Sequence, residues 1–119
     1  MSVGGLPSRQ LQVEVRQRAD HIAIAPAGEL DIATCGGLED RVAPMLQGDA
    51  LHVVIELSGL SFIDVAGMRA LARCAEISRR NGVRFSLALA DERPPRLFRL
   101  CHLLDDCELT SSSPSREPR

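Results

Sequence analysis

The side chains best able to serve as nucleophile, general base or metal ligand are four cysteines, Cys35, Cys74, Cys101 and Cys107, and three histidines, His21, His52 and His102. Nucleophilic catalysis requires a thiol or hydroxyl within hydrogen-bond reach of a base that a third group orients. Cys35 or Cys74 with a histidine and an acid could be drawn as such a set, but Cys74 falls inside a helical pattern and no spacing brings a pair together. Ser58 sits in L-S-G-L rather than in the G-x-S-x-G of a nucleophile elbow. A zinc site would bring its ligands in close pairs, and the chain has no C-x-x-C; Cys101 and His102 are adjacent and diverge on a helix. No Gly-rich phosphate cradle is visible, so neither metal nor cofactor is expected. Every one of the fourteen basic side chains is arginine. The absence of lysine excludes a P-loop lysine, Schiff-base chemistry and a receiver-type phosphoacceptor site, because a guanidinium stays protonated and is no nucleophile. The reading is a protein that is not an enzyme.

Three carboxylates remain, Glu29, Asp31 and Asp64, and the elements around them decide their use. Leu11, Val13 and Val15 alternate with Gln12, Glu14 and Arg16, the period of a strand with one wet face. Asp20 and His21 turn the chain into a second strand from Ile22, ending at Pro26 and Gly28. Leu51 to Leu57 is more continuously apolar and reads as a strand covered on both faces. Val83, Phe85, Leu87 and Leu89 give a fourth, and Glu108 to Thr110 a short last one. Leu38, Val42 and Leu46 share a helix face that Pro44 should shorten or kink. A longer helix runs from Val65 to Asn81, with Asp64 as N-cap and Gly82 as stop. Its Arg69, Arg73, Glu76 and Arg80 fall on one outward arc. Pro94 and Pro95 open a third helix carrying Leu97, Leu100, Cys101 and Leu104.

The 119 residues and net charge of −2 fit one domain of balanced charge that does not bind nucleic acid by bulk attraction. The order of elements predicts a single α/β domain: a mixed sheet of four to five strands, the first an antiparallel edge, packed with three or more helices. Residues 1–10 are expected to be a flexible N-terminus, 11–110 the domain and 111–119 a disordered tail. No secretory signal or apolar run of membrane length appears, so a cytoplasmic location without membrane insertion is expected. Exposed strand edges leave a homodimer possible. In such a sheet the loops leaving the carboxyl ends of parallel strands are the usual functional positions. Here these are Gly28–Asp31 and Ser58–Asp64, the second opening a helix whose free amides suit an anion.

GELDIATCGGLEDRV, followed by HVVIELSGLSFIDVAGMRALARC, resembles the STAS domain of bacterial anti-sigma factor antagonists over roughly Leu11 to Leu109. The resemblance implies binding to an anti-sigma factor that is also a serine kinase, with release on phosphorylation of one Ser or Thr at the helix start. It places the contact surface at Asp64, Val65, Ala66, Gly67, Met68 and Arg69, with Glu29 and Asp31 beside it and Arg73 further along the basic stripe. The family pattern Asp, Ser, Ser or Thr, Gly is replaced by Asp64-Val65-Ala66-Gly67. Ala66 stands at the phosphoacceptor position and has no hydroxyl. The usual switch therefore cannot run there, and constitutive binding is the expectation. Ser61 is a displaced alternative acceptor, although a turn hydroxyl serving local backbone is the plainer account. The runner-up role is a STAS scaffold subunit of a stress-signalling or lipid-transport complex.

Overall fold

The structure, a computed structural model, describes residues 11–89 and 108–111. Strand β1 (Leu11–Gln17) turns back after Gln17, and the amide of Arg18 donates to the His21 carbonyl at 2.8 Å, closing a hairpin over Ala19 and Asp20. Strand β2 (Ile22–Leu30) then pairs antiparallel with β1 from Leu11↔Gly28 to Gln17↔Ile22. Strands β3 (His52–Glu56), β5 (Arg84–Leu89) and β6 (Glu108–Ser111) add parallel neighbours, giving the order β1-β2-β3-β5-β6. The first strand is the antiparallel edge, as its short link to β2 requires.

Three local expectations need correction. β2 does not end at Pro26 but passes through it to Leu30. Pro26 lies beyond the last β3 partner, Ile24↔Ile55, and before Gly28↔Leu60, so its missing N–H removes no ladder bond. The stretch after β3 is not a plain loop. A 3₁₀ turn (Leu57–Gly59) leads into strand β4 (Leu60–Ile63), which pairs parallel with Gly28, Glu29 and Leu30 along the length of β2 that β3 leaves uncovered. Beside the expected mixed run of five strands, β1-β2-β3-β5-β6, β4 thus adds a short sixth strand off the end of β2. β6 extends through Ser111, one residue past the expected domain end at 110.

Helix α1 (Cys35–Leu46) buries Leu38, Val42 and Leu46, as the spacing predicts. It runs through Pro44 without ending there. The proline stands on an exposed side close to the helix end, where a single lost amide is tolerated. Helix α2 (Val65–Arg80) is capped at Asn81, and Gly82 follows with a left-handed φ of 71° that a side chain would strain. The two helices pack on each other and share one core with Ile24, Val53, Ile55, Phe85 and Leu87, which lie on one face of the sheet. Three or more helices were expected; two α-helices are present among the described residues, and the helix expected at Pro94–Leu104 lies outside them. Residues 1–10 and 112–119, expected to be flexible, also lie outside. No helix among the described residues is long and apolar enough to cross a membrane.

The faces of β5 do not alternate as its sequence suggests: Ser86 and Ala88 are buried along with Phe85, Leu87 and Leu89. Ser86 is satisfied there by the His52 ring, with Oγ and Nε2 2.9 Å apart. A buried hydroxyl without such a partner would cost about 1–3 kcal/mol.

Candidate functional site

The carboxyl ends of β2 and β4 lie side by side, Glu29 opposite Phe62 and Leu30 opposite Ile63, with a bulge between Gly28 and Glu29. The chain leaves β4 at Asp64, whose amide donates to the Leu30 carbonyl at 3.3 Å. Asp64 is the N-cap of α2, and its Oδ1 accepts from the Gly67 amide at 2.9 Å. That position, three residues on, is where a capping carboxylate meets an otherwise unpaired donor and complements the helix dipole. Removing the cap by Asp64→Ala is expected to cost about 1 kcal/mol of stability, read as a lower midpoint of urea unfolding.

Gly67 is what lets α2 start so close to the sheet. A Cβ at this position would lie 2.4 Å from the Leu30 carbonyl oxygen, 2.9 Å from Leu30 Cγ and 3.0 Å from Ile63 Cγ1. Backbone oxygen and Cβ cannot approach to that distance, so the glycine sets the height of the whole helix start above β2 and β4. Val65 and Ala66 ride on this seat. Val65 is 46% exposed and Ala66 half-buried.

Asp31 turns inward. It is 7% exposed, and its Oδ1 accepts from the amides of Ala33 at 3.0 Å and Thr34 at 3.2 Å. Thr34 Oγ1 in turn donates to the Glu29 carbonyl at 2.7 Å and accepts from the Asp31 amide at 3.0 Å. This closed set of bonds shapes the loop between β2 and α1 and presents Ile32, 77% exposed, at its tip. Glu29 is half-buried in β2.

Of the residues expected on the contact surface, Met68 is displaced. It is fully buried in the core beneath the helix, because α2 turns its second-turn apolar side to the sheet. Gly67 is also buried, and Asp31 contributes loop shape. Arg69 is exposed and enters no ion pair among the described residues. Arg73 is exposed but tied across to α1, its Nε donating to Glu39 Oε2 at 2.9 Å, which favours the charged guanidinium. Further along, Arg79 and Arg80 both pair with Glu76; the Arg79 hydrogen bond is the first cause of the lowered carboxyl pKa there. The stripe read as a basic face is thus largely ion-paired, with Arg69 the exception next to the helix start. Ser61 is exposed, and its hydroxyl donates to the Gly28 carbonyl at 3.2 Å.

Two exposed apolar residues of this end, Ile32 and Phe62, escaped the sequence reading; Phe62 is 51% exposed. An aromatic side chain in a polar turn was the available signal. With Val65 they crown the ends of β2 and β4 and the start of α2. Single exposed hydrophobics are ordinary; here three come from adjoining segments at one end of the sheet.

The remaining chemistry-bearing groups lie elsewhere. Cys35 and Cys74 are buried free thiols on α1 and α2, and burial pushes the Cys74 thiol up to about 12. His21 and His52 sit at the opposite end of the sheet, their rings 5.7 Å apart. His21 Nδ1 is 2.8 Å from Asp20 Oδ1, which holds the Asp20 carboxyl below its usual range. The structure therefore keeps these thiols and imidazoles apart, and no group of three or more metal-ligating side chains forms among the described residues. Cys101, His102 and Cys107 lie outside those residues.

A mixed sheet with two helices on one face, and a capped helix start seated on the ends of two strands, defines a STAS-type α/β domain. Residues 12–115 match the STAS domain family, and the chain belongs to it. Within that family it is anti-sigma factor antagonist-like. It is 26% identical over 104 residues to an anti-sigma-B factor antagonist of Bacillus subtilis, covering 87% of this chain and 94% of the relative. Its fold matches the crystal structure of an anti-sigma factor antagonist from Mycobacterium paratuberculosis with a TM-score of 0.75, at 20% identity and 88% and 89% coverage of the two chains. It also matches the Bacillus cell fate determinant SpoIIAA in its phosphorylated form, with a TM-score of 0.63 at 16% identity, covering 87% of this chain and 96% of that one.

Proposed function

We propose that this protein is a non-catalytic regulator that docks a serine-kinase-type anti-sigma factor through the start of α2, and that phosphorylation at the usual position does not switch it. The observation that carries this reading is the pairing of an exposed apolar rim, Ile32, Phe62 and Val65, with a helix start whose central residue is Ala66. The relatives' names supply the kind of partner, an anti-sigma factor. That one related structure is of a phosphorylated form supports modification as a regulatory device among such proteins. Alanine offers no oxygen for phosphoryl transfer, so the partner would bind a surface that stays unmodified.

In this reading Val65, Ala66 and Arg69 make direct contact, Glu29 lies at the edge, and Asp64, Gly67 and Asp31 hold the surface in shape. Met68 acts from below as core, and Arg73 supports the α1–α2 contact. Rim charge such as Arg69 tunes encounter rate more than final affinity. The protein works in the cytoplasm without nucleic acid, metal or membrane insertion, and the Ser61 hydroxyl, donated to the Gly28 carbonyl, serves local backbone rather than a switch. Pull-down of kinase-type anti-sigma factors by the full chain tests the reading. Capture of one such kinase is expected, and capture of none would overturn it.

A further inference from the structure

β1 is a sheet edge: among the described residues it has a neighbour on one side only. The hairpin bond from the Arg18 amide to the His21 carbonyl fixes the phase of its backbone. Arg18 faces β2, so Arg16, Glu14 and Gln12 face β2 as well, and the amides and carbonyls of Leu11, Val13, Val15 and Gln17 point to the open side. Pro26 agrees with this phase. It lies opposite Val13, a position from which β1 asks for no donor. Uncovered strand edges of this kind are templates for another strand.

We propose that β1 pairs antiparallel with β1 of a second copy about a two-fold axis through Val15. In that register Val15 faces its own copy, Val13 faces Gln17 and Glu14 faces Arg16. Val13, Val15 and Gln17 all present outward groups, so three facing pairs exchange about six hydrogen bonds. Charge selects the register. Shifting the axis by one residue would set Glu14 against Glu14 or Arg16 against Arg16, and directly opposed like charges are destabilising. Within one chain Glu14 and Arg16 already share a strand face, with Arg16 Nη2 3.0 Å from Glu14 Oε1. Doubling the strand places two such pairs crosswise in an alternating square. On the other strand face Val15, 37% exposed, gains cover from its copy. A symmetric patch that complements itself is what an isologous dimer requires. One strand pair buries little area, well below the roughly 1,200 Å² of stable interfaces, so the association is transient.

Sedimentation velocity of the untagged full chain, from about ten to several hundred micromolar, the range in which so small an interface would associate, tests the proposal. The wild type is expected to move from monomer toward dimer mass as concentration rises. E14R and R16E should each stay monomeric, because either sets like charges opposite each other twice. The E14R/R16E double variant, and an equimolar mixture of the two single variants, should recover association, since both arrangements restore opposite charges at every facing pair. The mixture also guards against reading a folding defect as lost pairing. A wild type that remains monomeric throughout, or single variants that associate as the wild type does, would overturn the proposal.

Discussion

Gly67→Ala is expected to lower stability by about 3 kcal/mol, at the upper end of the usual cost of inserting a methylene into a packed site. Intrinsic preference runs the other way, since alanine is favoured over glycine inside a helix by about 1 kcal/mol. Contact decides between them. The new Cβ would stand 2.4 Å from the Leu30 carbonyl oxygen, a backbone atom held in the β2 ladder, so α2 must lift from the sheet. Lifting it weakens the Asp64–Gly67 cap and the packing of Met68 and Leu71, both fully buried. Urea unfolding followed by far-UV circular dichroism measures the effect. A midpoint equal to or above that of the wild type would show that the helix start does not depend on this close approach.

The second large effect is on binding. Ala66→Asp is expected to weaken the complex with a kinase-type anti-sigma factor by about 100-fold or more. That corresponds to roughly 2.7 kcal/mol, the scale of an uncompensated charge placed at the centre of an interface. The fold should tolerate the change. Ala66 is in the first turn of α2, where a carboxylate interacts favourably with the helix dipole by about 0.3–1 kcal/mol. Stability and binding therefore move in opposite directions, which separates loss of contact from loss of structure. Titration calorimetry beside a thermal melt reads both quantities, and unchanged affinity would place the contact elsewhere on the domain.

Much of the architecture was legible because it rests on local signals. The alternation of Leu11, Val13 and Val15, the Asp64 cap and the Gly82 stop each follow from the conformation of a few neighbouring residues. What escaped depends on partners distant in sequence. Pro26 reads as a strand end until the gap between β3 and β4 is seen beside it. β4 has only four residues, too few for periodicity to declare, and exists because β2 outruns β3. Arg73 reads as a free surface charge until α1 brings Glu39 to it. Met68 is expected on the contact surface from the resemblance, and only the seating of α2 on the sheet assigns it to the core. The missing hydroxyl at Ala66 was visible at once in the sequence, but the apolar rim around it was not, since exposure of Ile32 and Phe62 depends on how three segments end together.

The proposed docking of a kinase-type anti-sigma factor without a phosphorylation switch meets its most direct test in one measurement. The affinity of the full chain for a kinase-type anti-sigma factor is determined with and without ATP, alongside an A66S variant that restores an acceptor hydroxyl. The expected result is a wild-type complex that persists on prolonged incubation with ATP, and an A66S complex that is lost as phosphate enters the helix start. A wild-type complex that ATP disperses, with phosphate found on the chain, would contradict the account.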